Sequence, residues 1–336
     1  MSCLYLDKRG LTLKSEGNVL VVFGETGRLA TMPLKLIERI CIKGSTQLSA
    51  SLLAKLGEHD VALLVLQGLQ RKPVMMLPSY RKDALRRQVQ LQLSLDPDFC
   101  VGFAKKLVLQ KISGQIAHLE SLPSMVKNRS ALSSLLDYRD SLMARISEVS
   151  ELDELLGVEG AAANLYFREL SPNVPASLNF TGRNKRPPKD PFNVVLSLGY
   201  TLLHYEWVRQ IYMMGLDPYI GFYHQPSFGR ESLASDLMEP LRPQYDRWAL
   251  SLFKEGILRQ EDFTLKENAC QMGKAGRLRF YEAFEKFLQN LLPLIRAQKQ
   301  LLFADIQMAE ARWKSALSFE NCLGLFDNDS LEERRF

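Results

Sequence analysis

The sequence is poor in cysteine and histidine. Its five cysteines, Cys3, Cys41, Cys100, Cys270 and Cys322, are odd in number and far apart, and no Cys-x-x-Cys occurs. A disulfide framework and a zinc ribbon are thereby excluded, and the thiols read as reduced packing residues. Nor does any run approach the roughly 20 apolar residues that a membrane-spanning helix needs. The first ten residues carry Asp7, Lys8 and Arg9 instead of a secretory core, so a cytoplasmic protein without a membrane partner is expected. Gly273-Lys274-Ala275 lacks the upstream glycine and the following Ser or Thr of a phosphate-binding loop. Gly-x-Gly-x-x-Gly and Gly-x-Ser-x-Gly are also missing, which removes nucleotide-driven and serine-hydrolase chemistry. With only four histidines, no cluster supplies the two histidines and one carboxylate of an iron oxygenase.

What is present is the composition of an ordinary folded chain, 46% hydrophobic and 24% charged over 336 residues. That length suggests two domains. Through about residue 80 the pattern is β-rich: Leu4 and Leu6 alternate with polar neighbours, Val19–Phe23 is β-branched, and Ile40–Ile42, Val61–Leu66 and Val74–Leu77 suggest further strands. Helical spacing intervenes at Leu52, Leu53 and Leu56. Beyond a linker near 78–84 the period becomes helical. Helices are expected over 84–95, 99–122, 130–148, 151–170, 191–213, 244–256 and 276–310. Asp190 followed by Pro191 marks the start of one of them. The expected fold is therefore α+β, with a small β-rich domain over 1–80, an all-helical catalytic domain over 81–322 and a loose tail over 323–336.

Lysine and arginine outnumber aspartate and glutamate by 43 to 38, and the excess is clustered. Arg81, Lys82, Arg86 and Arg87 form one basic group, and Arg183, Lys185, Arg186 and Lys189 another; Glu148, Glu151, Asp153, Glu154 and Glu159 make an acidic stretch. Basic patches beside an acidic centre suit an enzyme acting on phosphates, although solvated helix faces would read the same way. Glu159 lies on the apolar stripe of Leu155, Leu156, Ala162 and Ala163. A carboxylate there needs a partner, either an arginine or a metal. His224, Asp236 and Glu239 form a second constellation. If the segment from Ser232 to Arg242 is helical, its two carboxylates share a face and call for a cation or a proton. One histidine with carboxylates is a hard donor set, suited to magnesium or manganese. His204 reads as a core histidine, and His59 and His118 as surface residues.

Together these motifs resemble the CRISPR-associated Cas1 family, the spacer-acquisition integrases. The resemblance rests on Gly157-Val158-Glu159-Gly160-Ala161-Ala162 with Tyr166-Phe167, on Gly221-Phe222-Tyr223-His224, and on Ser232-Leu233 through Asp236-Leu237-Met238-Glu239-Pro240-Leu241-Arg242-Pro243. A fourth stretch runs from Arg183 to Asn193 through Pro187-Pro188. The resemblance implies that Glu159, His224 and Glu239 bind Mg2+ or Mn2+ with Asp236 assisting. It also implies an N-terminal β-domain, a homodimer, and assembly with the small Cas2 protein on double-stranded DNA, both prespacer and CRISPR repeat. Arg183, Lys185, Arg186, Lys189 and Arg242 are the candidate DNA contacts. The implied reaction is transesterification by a DNA 3′-hydroxyl, with water in its place giving cleavage. A structure-selective nuclease without strand joining and a non-catalytic DNA-binding scaffold are the alternatives.

Overall fold

In the computed structural model the described residues are 3–66, 73–78, 83–127, 129–184, 187–266 and 269–322. The chain opens with β1 (Cys3–Leu6), β2 (Leu11–Glu16), β3 (Val19–Gly24) and β4 (Gly27–Pro33). It continues through β5 (Arg39–Ile42), β6 (Thr46–Leu48), α1 (Ala50–Glu58), β7 (Ala62–Val65) and β8 (Val74–Met76). Two four-stranded sheets result, ordered β1-β5-β7-β8 and β4-β3-β2-β6. The β2–β3 hairpin closes on two residues, with Gly17 in the left-handed region at φ 60°. Glycine accepts that conformation without a Cβ clash. Leu13, Leu20, Leu34, Ile40 and Leu52 are wholly buried in one core cluster of this region.

The expected strands are present. β4 and β6 went unread because β4 is exposed along nearly its whole length and β6 has only 3 residues; β2 went unread although its Leu11 and Leu13 alternate with polar neighbours.

The second region comprises α2 (Ala84–Ser94), α3 (Pro97–Glu120), α4 (Pro123–Lys127), α5 (Arg129–Glu148), α6 (Leu152–Leu170), α7 (Pro191–Met213), α8 (Ser232–Met238) and α9 (Arg242–Lys254). β9 (Phe263–Lys266), β10 (Ala269–Met272) and α10 (Lys274–Cys322) follow. The expectation of an all-helical region is corrected by the antiparallel pair β9–β10. Its segments alternate apolar and polar residues at period two, Phe263 with Leu265 and Cys270 with Met272, too briefly to stand out between long helices. Residues 323–336, the expected tail, lie outside the described residues.

α7 is buried on nearly all sides, as expected of a helix apolar around its circumference. Its start is the one read from sequence: the Asp190 carboxylate accepts the Asn193 N–H at 2.8 Å with Pro191 in the first turn. The sheet β1-β5-β7-β8 reaches this helical layer through Cys41, Leu64 and Leu66. Buried ion pairs also cross here. Arg39 on β5 contacts Glu206 of α7 and lies 2.7 Å from Glu285 of α10, while Tyr5 stacks on Tyr281 with ring centroids 4.3 Å apart. Among the described residues no helix is long and apolar enough to cross a membrane.

Candidate functional site

α3, α6 and the turn between α8 and α9 bring three charged side chains to one point. Lys111 projects from the middle of α3 and is 6% exposed. Its Nζ contacts Glu159 Oε1 on α6 and lies 2.6 Å from Glu239 Oε2. Glu239 Oε2 is also 2.9 Å from Arg242 Nε, an ion pair one helical turn away. The remaining oxygen of Glu159 accepts the Tyr223 hydroxyl at 2.6 Å. The partner that Glu159 demanded is thus a lysine, where sequence reasoning offered an arginine or a metal.

Asp236 has a different task. Its Oδ2 accepts the backbone N–H groups of Phe222 and Tyr223 at 2.8 and 3.0 Å. Its Oδ1 accepts the N–H of His224 at 2.9 Å and lies 2.7 Å from His224 Nδ1. A carboxylate only accepts, so Nδ1 carries a proton and Nε2 is the ring nitrogen that Asp236 leaves unengaged. Asp236 is fully buried, and His224 keeps 12% of its side chain accessible.

Asp236 and Glu239, expected to share a helix face, have different partners. α8 ends at Met238 and a short 3-10 turn, Glu239–Leu241, follows directly, with Glu239 on Lys111 and Arg242 and Asp236 on the segment from Phe222 to His224. Gly221 permits the close approach of the bent segment that leads to His224. A Cβ there would lie 2.7 Å from Ser232 Cβ and 2.9 Å from Asp236 Oδ2.

The charges compensate one another. Burial alone would raise the Glu239 carboxyl, but Arg242 and Lys111 overcome it and hold the group at about 2. Burial opposes the Lys111 ammonium, yet Glu239 and Glu159 push its pKa above the ordinary value, so it remains a cation. Tyr223 is displaced upward, by burial and then by Glu159, and stays a hydrogen-bond donor.

Among the described residues no three His, Cys, Asp or Glu side chains stand together at metal-binding separation. The donors nevertheless suit a hard divalent ion in kind: two carboxylates converge on a cation, and the neighbouring imidazole uses only Nδ1 on Asp236. Glu159, Glu239 and His224 are the residues that would hold it. Such an ion would take the place that the Lys111 ammonium fills.

The other candidates divide. Arg183 is turned inward: its guanidinium donates to Asn184 O, to Asn193 Oδ1 at 2.8 Å and to Ser197 Oγ at 3.2 Å, and lies over the Tyr200 ring. Arg242 serves Glu239 and lies 4.5 Å from the Tyr200 ring centroid. Lys189 is exposed, and Lys185 and Arg186 lie outside the described residues, as do Arg81 and Lys82. His118 is a correction. Expected at the surface, it is 3% exposed, with Nδ1 2.7 Å from the Tyr166 hydroxyl, because its face of α3 packs against α6. His204 is partly buried beside Glu231 at 3.3 Å, and His59 meets Asn18 at 3.2 Å.

Lys111 is what sequence reasoning missed. Its signal was there: it shares a helix face with Leu107, Val108, Ile112 and Gln115, positions where an unpaired charge is not tolerated.

A profile of the family described as CRISPR associated protein Cas1 matches residues 4–286. The CRISPR-associated endonuclease Cas1 1 of Thermodesulfovibrio yellowstonii is 37% identical over 307 residues, covering 89% of this chain and 95% of that protein. Among solved structures, TM1797, a Cas1 protein from Thermotoga maritima, superposes with TM-score 0.79 at 23% identity, covering 92% of this chain and 97% of that one. A casposase bound to its integration product superposes with TM-score 0.73 at 26% identity, covering 86% and 83%.

Proposed function

The chain belongs to the CRISPR-associated protein Cas1 family, and from that premise we propose that it is a metal-dependent DNA integrase that inserts DNA fragments as new spacers into a CRISPR array. The observation that carries the reading is the meeting of Glu159, Lys111 and Glu239 beside a histidine whose tautomer Asp236 fixes. The likeness to a casposase bound to its integration product favours strand joining over cleavage alone.

A phosphodiester is anionic and repels nucleophiles, so the site must gather positive charge without closing to the substrate. Glu159, His224 and Glu239 would hold a Mg2+ or Mn2+ ion, which supplies Lewis-acid stabilisation of the phosphoryl oxygens and activation of the attacking hydroxyl. Asp236 orients His224 by holding both its backbone N–H and Nδ1–H, so that Nε2 is the nitrogen left for an ion. Tyr223 fixes the rotamer of Glu159 by donating to it. Arg242, braced on the Tyr200 ring, holds Glu239. The 3′-hydroxyl of the incoming strand attacks phosphorus in line with the leaving 3′-oxygen of the repeat strand. One phosphodiester forms as one breaks, so no ATP is required. Kinship further supports a homodimer working with Cas2 on double-stranded DNA.

A second reading, hydrolysis without joining, is favoured by the name of the Thermodesulfovibrio protein, an endonuclease. One assay separates the two. Labelled duplex with a free 3′-hydroxyl is incubated with a repeat-containing target, Cas2 and Mn2+, alongside donor ending in a dideoxynucleotide. Joined product from the first donor only is the expected result. Cleavage that is indifferent to the donor terminus establishes the nuclease, and full activity in excess chelator removes the metal.

A further inference from the structure

Lys111 reaches the site on a flexible stem rooted in the buried face of α3, and its charge is compensated by Glu159 and Glu239. The two carboxylates already have cationic partners, Lys111 at both and Arg242 at Glu239. A divalent ion held by the same two carboxylates would set its two positive charges close beside the Lys111 ammonium. Like charges a few ångströms apart in a buried setting repel strongly, so ion and ammonium do not share those oxygens. Arg242 is braced by the Tyr200 ring and has less freedom to leave than the lysine stem. Once released, the ammonium has no partner until an anion arrives. A DNA phosphate is such an anion.

We infer that Lys111 is an internal counter-cation that competes with the divalent ion for Glu159 and Glu239, and that it couples metal loading to the arrival of DNA phosphate, which takes over the released ammonium. The inference rests on the metal reading proposed above. Lys111 is a positioning residue, not a catalytic one: in the metal-free site it holds two carboxylates that would otherwise repel each other. Coupling of this kind is reciprocal, so metal and phosphate each strengthen the binding of the other.

The test is Mn2+ binding to the full-length protein, read from the paramagnetic resonance of free Mn2+. It is run with and without a duplex whose phosphorothioate linkages resist cleavage, the uptake by DNA alone being subtracted. In the wild type the duplex should tighten Mn2+ at least about tenfold, a coupling of ordinary size. Without duplex, K111M should bind Mn2+ at least about tenfold more tightly than wild type and lose most of the duplex effect; K111R, which keeps the charge, should behave as wild type. Thermal unfolding adds a second reading: metal-free K111M should melt below wild type and recover with Mn2+. If K111M does not fold, K111Q, which also removes the charge, is measured in its place. A K111M affinity equal to wild type, or a wild-type affinity unmoved by duplex, overturns the role of Lys111. The metal reading survives that result if E159Q still abolishes Mn2+ binding. No Mn2+ bound by any variant under any condition overturns both.

Discussion

Asp236 Oδ1 accepts from His224 twice, from its backbone N–H at 2.9 Å and from its ring Nδ1 at 2.7 Å, so one buried oxygen sets both the position and the tautomer of the imidazole. The other oxygen holds Phe222 and Tyr223. Asp236→Asn offers one acceptor oxygen where two are used, and leaves buried N–H groups facing an amide that also donates. The expected cost is about 1–3 kcal/mol of stability, together with loss of strand joining. Denaturant unfolding measured beside the joining assay checks this. Lost activity at unchanged stability would mean that Asp236 acts on the reacting groups directly.

Glu159 and Glu239 should separate by stability even though both abolish activity. Glu159→Gln leaves Lys111 paired with Glu239, whereas Glu239→Gln strips a carboxylate from Lys111 and Arg242 together. Breaking a buried pair from one side costs about 3–5 kcal/mol. Urea unfolding of the two metal-free variants should place Glu239→Gln lower, and the reverse order would contradict the assignment of Arg242 to Glu239.

Gly221→Ala should damage the site through packing alone, since the new Cβ would meet Ser232 Cβ at 2.7 Å and Asp236 Oδ2 at 2.9 Å. Overpacking of this kind costs about 1–3 kcal/mol. The segment from Phe222 to His224 must shift off Asp236, so joining activity should fall more than tenfold, as about 1.4 kcal/mol of misplacement already gives. Gly157→Ala and Gly160→Ala, whose Cβ atoms would meet nothing within 4 Å, serve as controls and should retain activity.

His118 and Asp246 should give opposite pH dependences of stability. Burial depresses His118 from 6.5 to about 4, so the native state stays neutral where the unfolded chain takes a proton, and this contribution is lost as pH falls from 6.5 toward 4. Burial raises Asp246 from 3.8 to about 6 despite Tyr200 and Arg242, so stability there falls as pH rises from about 4 to 6. The two largely offset in the wild type. His118→Gln should unmask the Asp246 slope: its stability relative to wild type should drop by on the order of 2 kcal/mol between about pH 4.5 and pH 6.5, since each tenfold change in proton affinity is worth about 1.4 kcal/mol. Denaturant unfolding of both proteins across that range is the measurement. A constant difference would show that His118 titrates normally.

Much was legible in the sequence. The change of hydrophobic period near residue 80 reflects a change from sheet to helix, because strand and helix faces repeat at different intervals, and the Asp190–Pro191 start of α7 is local chemistry. The four motifs carried family membership and pointed to Glu159, His224, Asp236 and Glu239. The β9–β10 pair was lost because four-residue alternation is weak beside helices of twenty or more residues.

By itself, then, the sequence determined which residues need partners: a carboxylate on an apolar helix face, and a histidine followed by two acids. Only the tertiary structure decided who those partners are. Lys111 meets Glu159 across 48 positions of chain and Glu239 across 128, and His118 meets Tyr166 across 48. Such pairings follow from how α3, α6 and the α8–α9 turn pack. Periodicity fixes the face on which a side chain lies, but it carries no information about which distant face will be pressed against it.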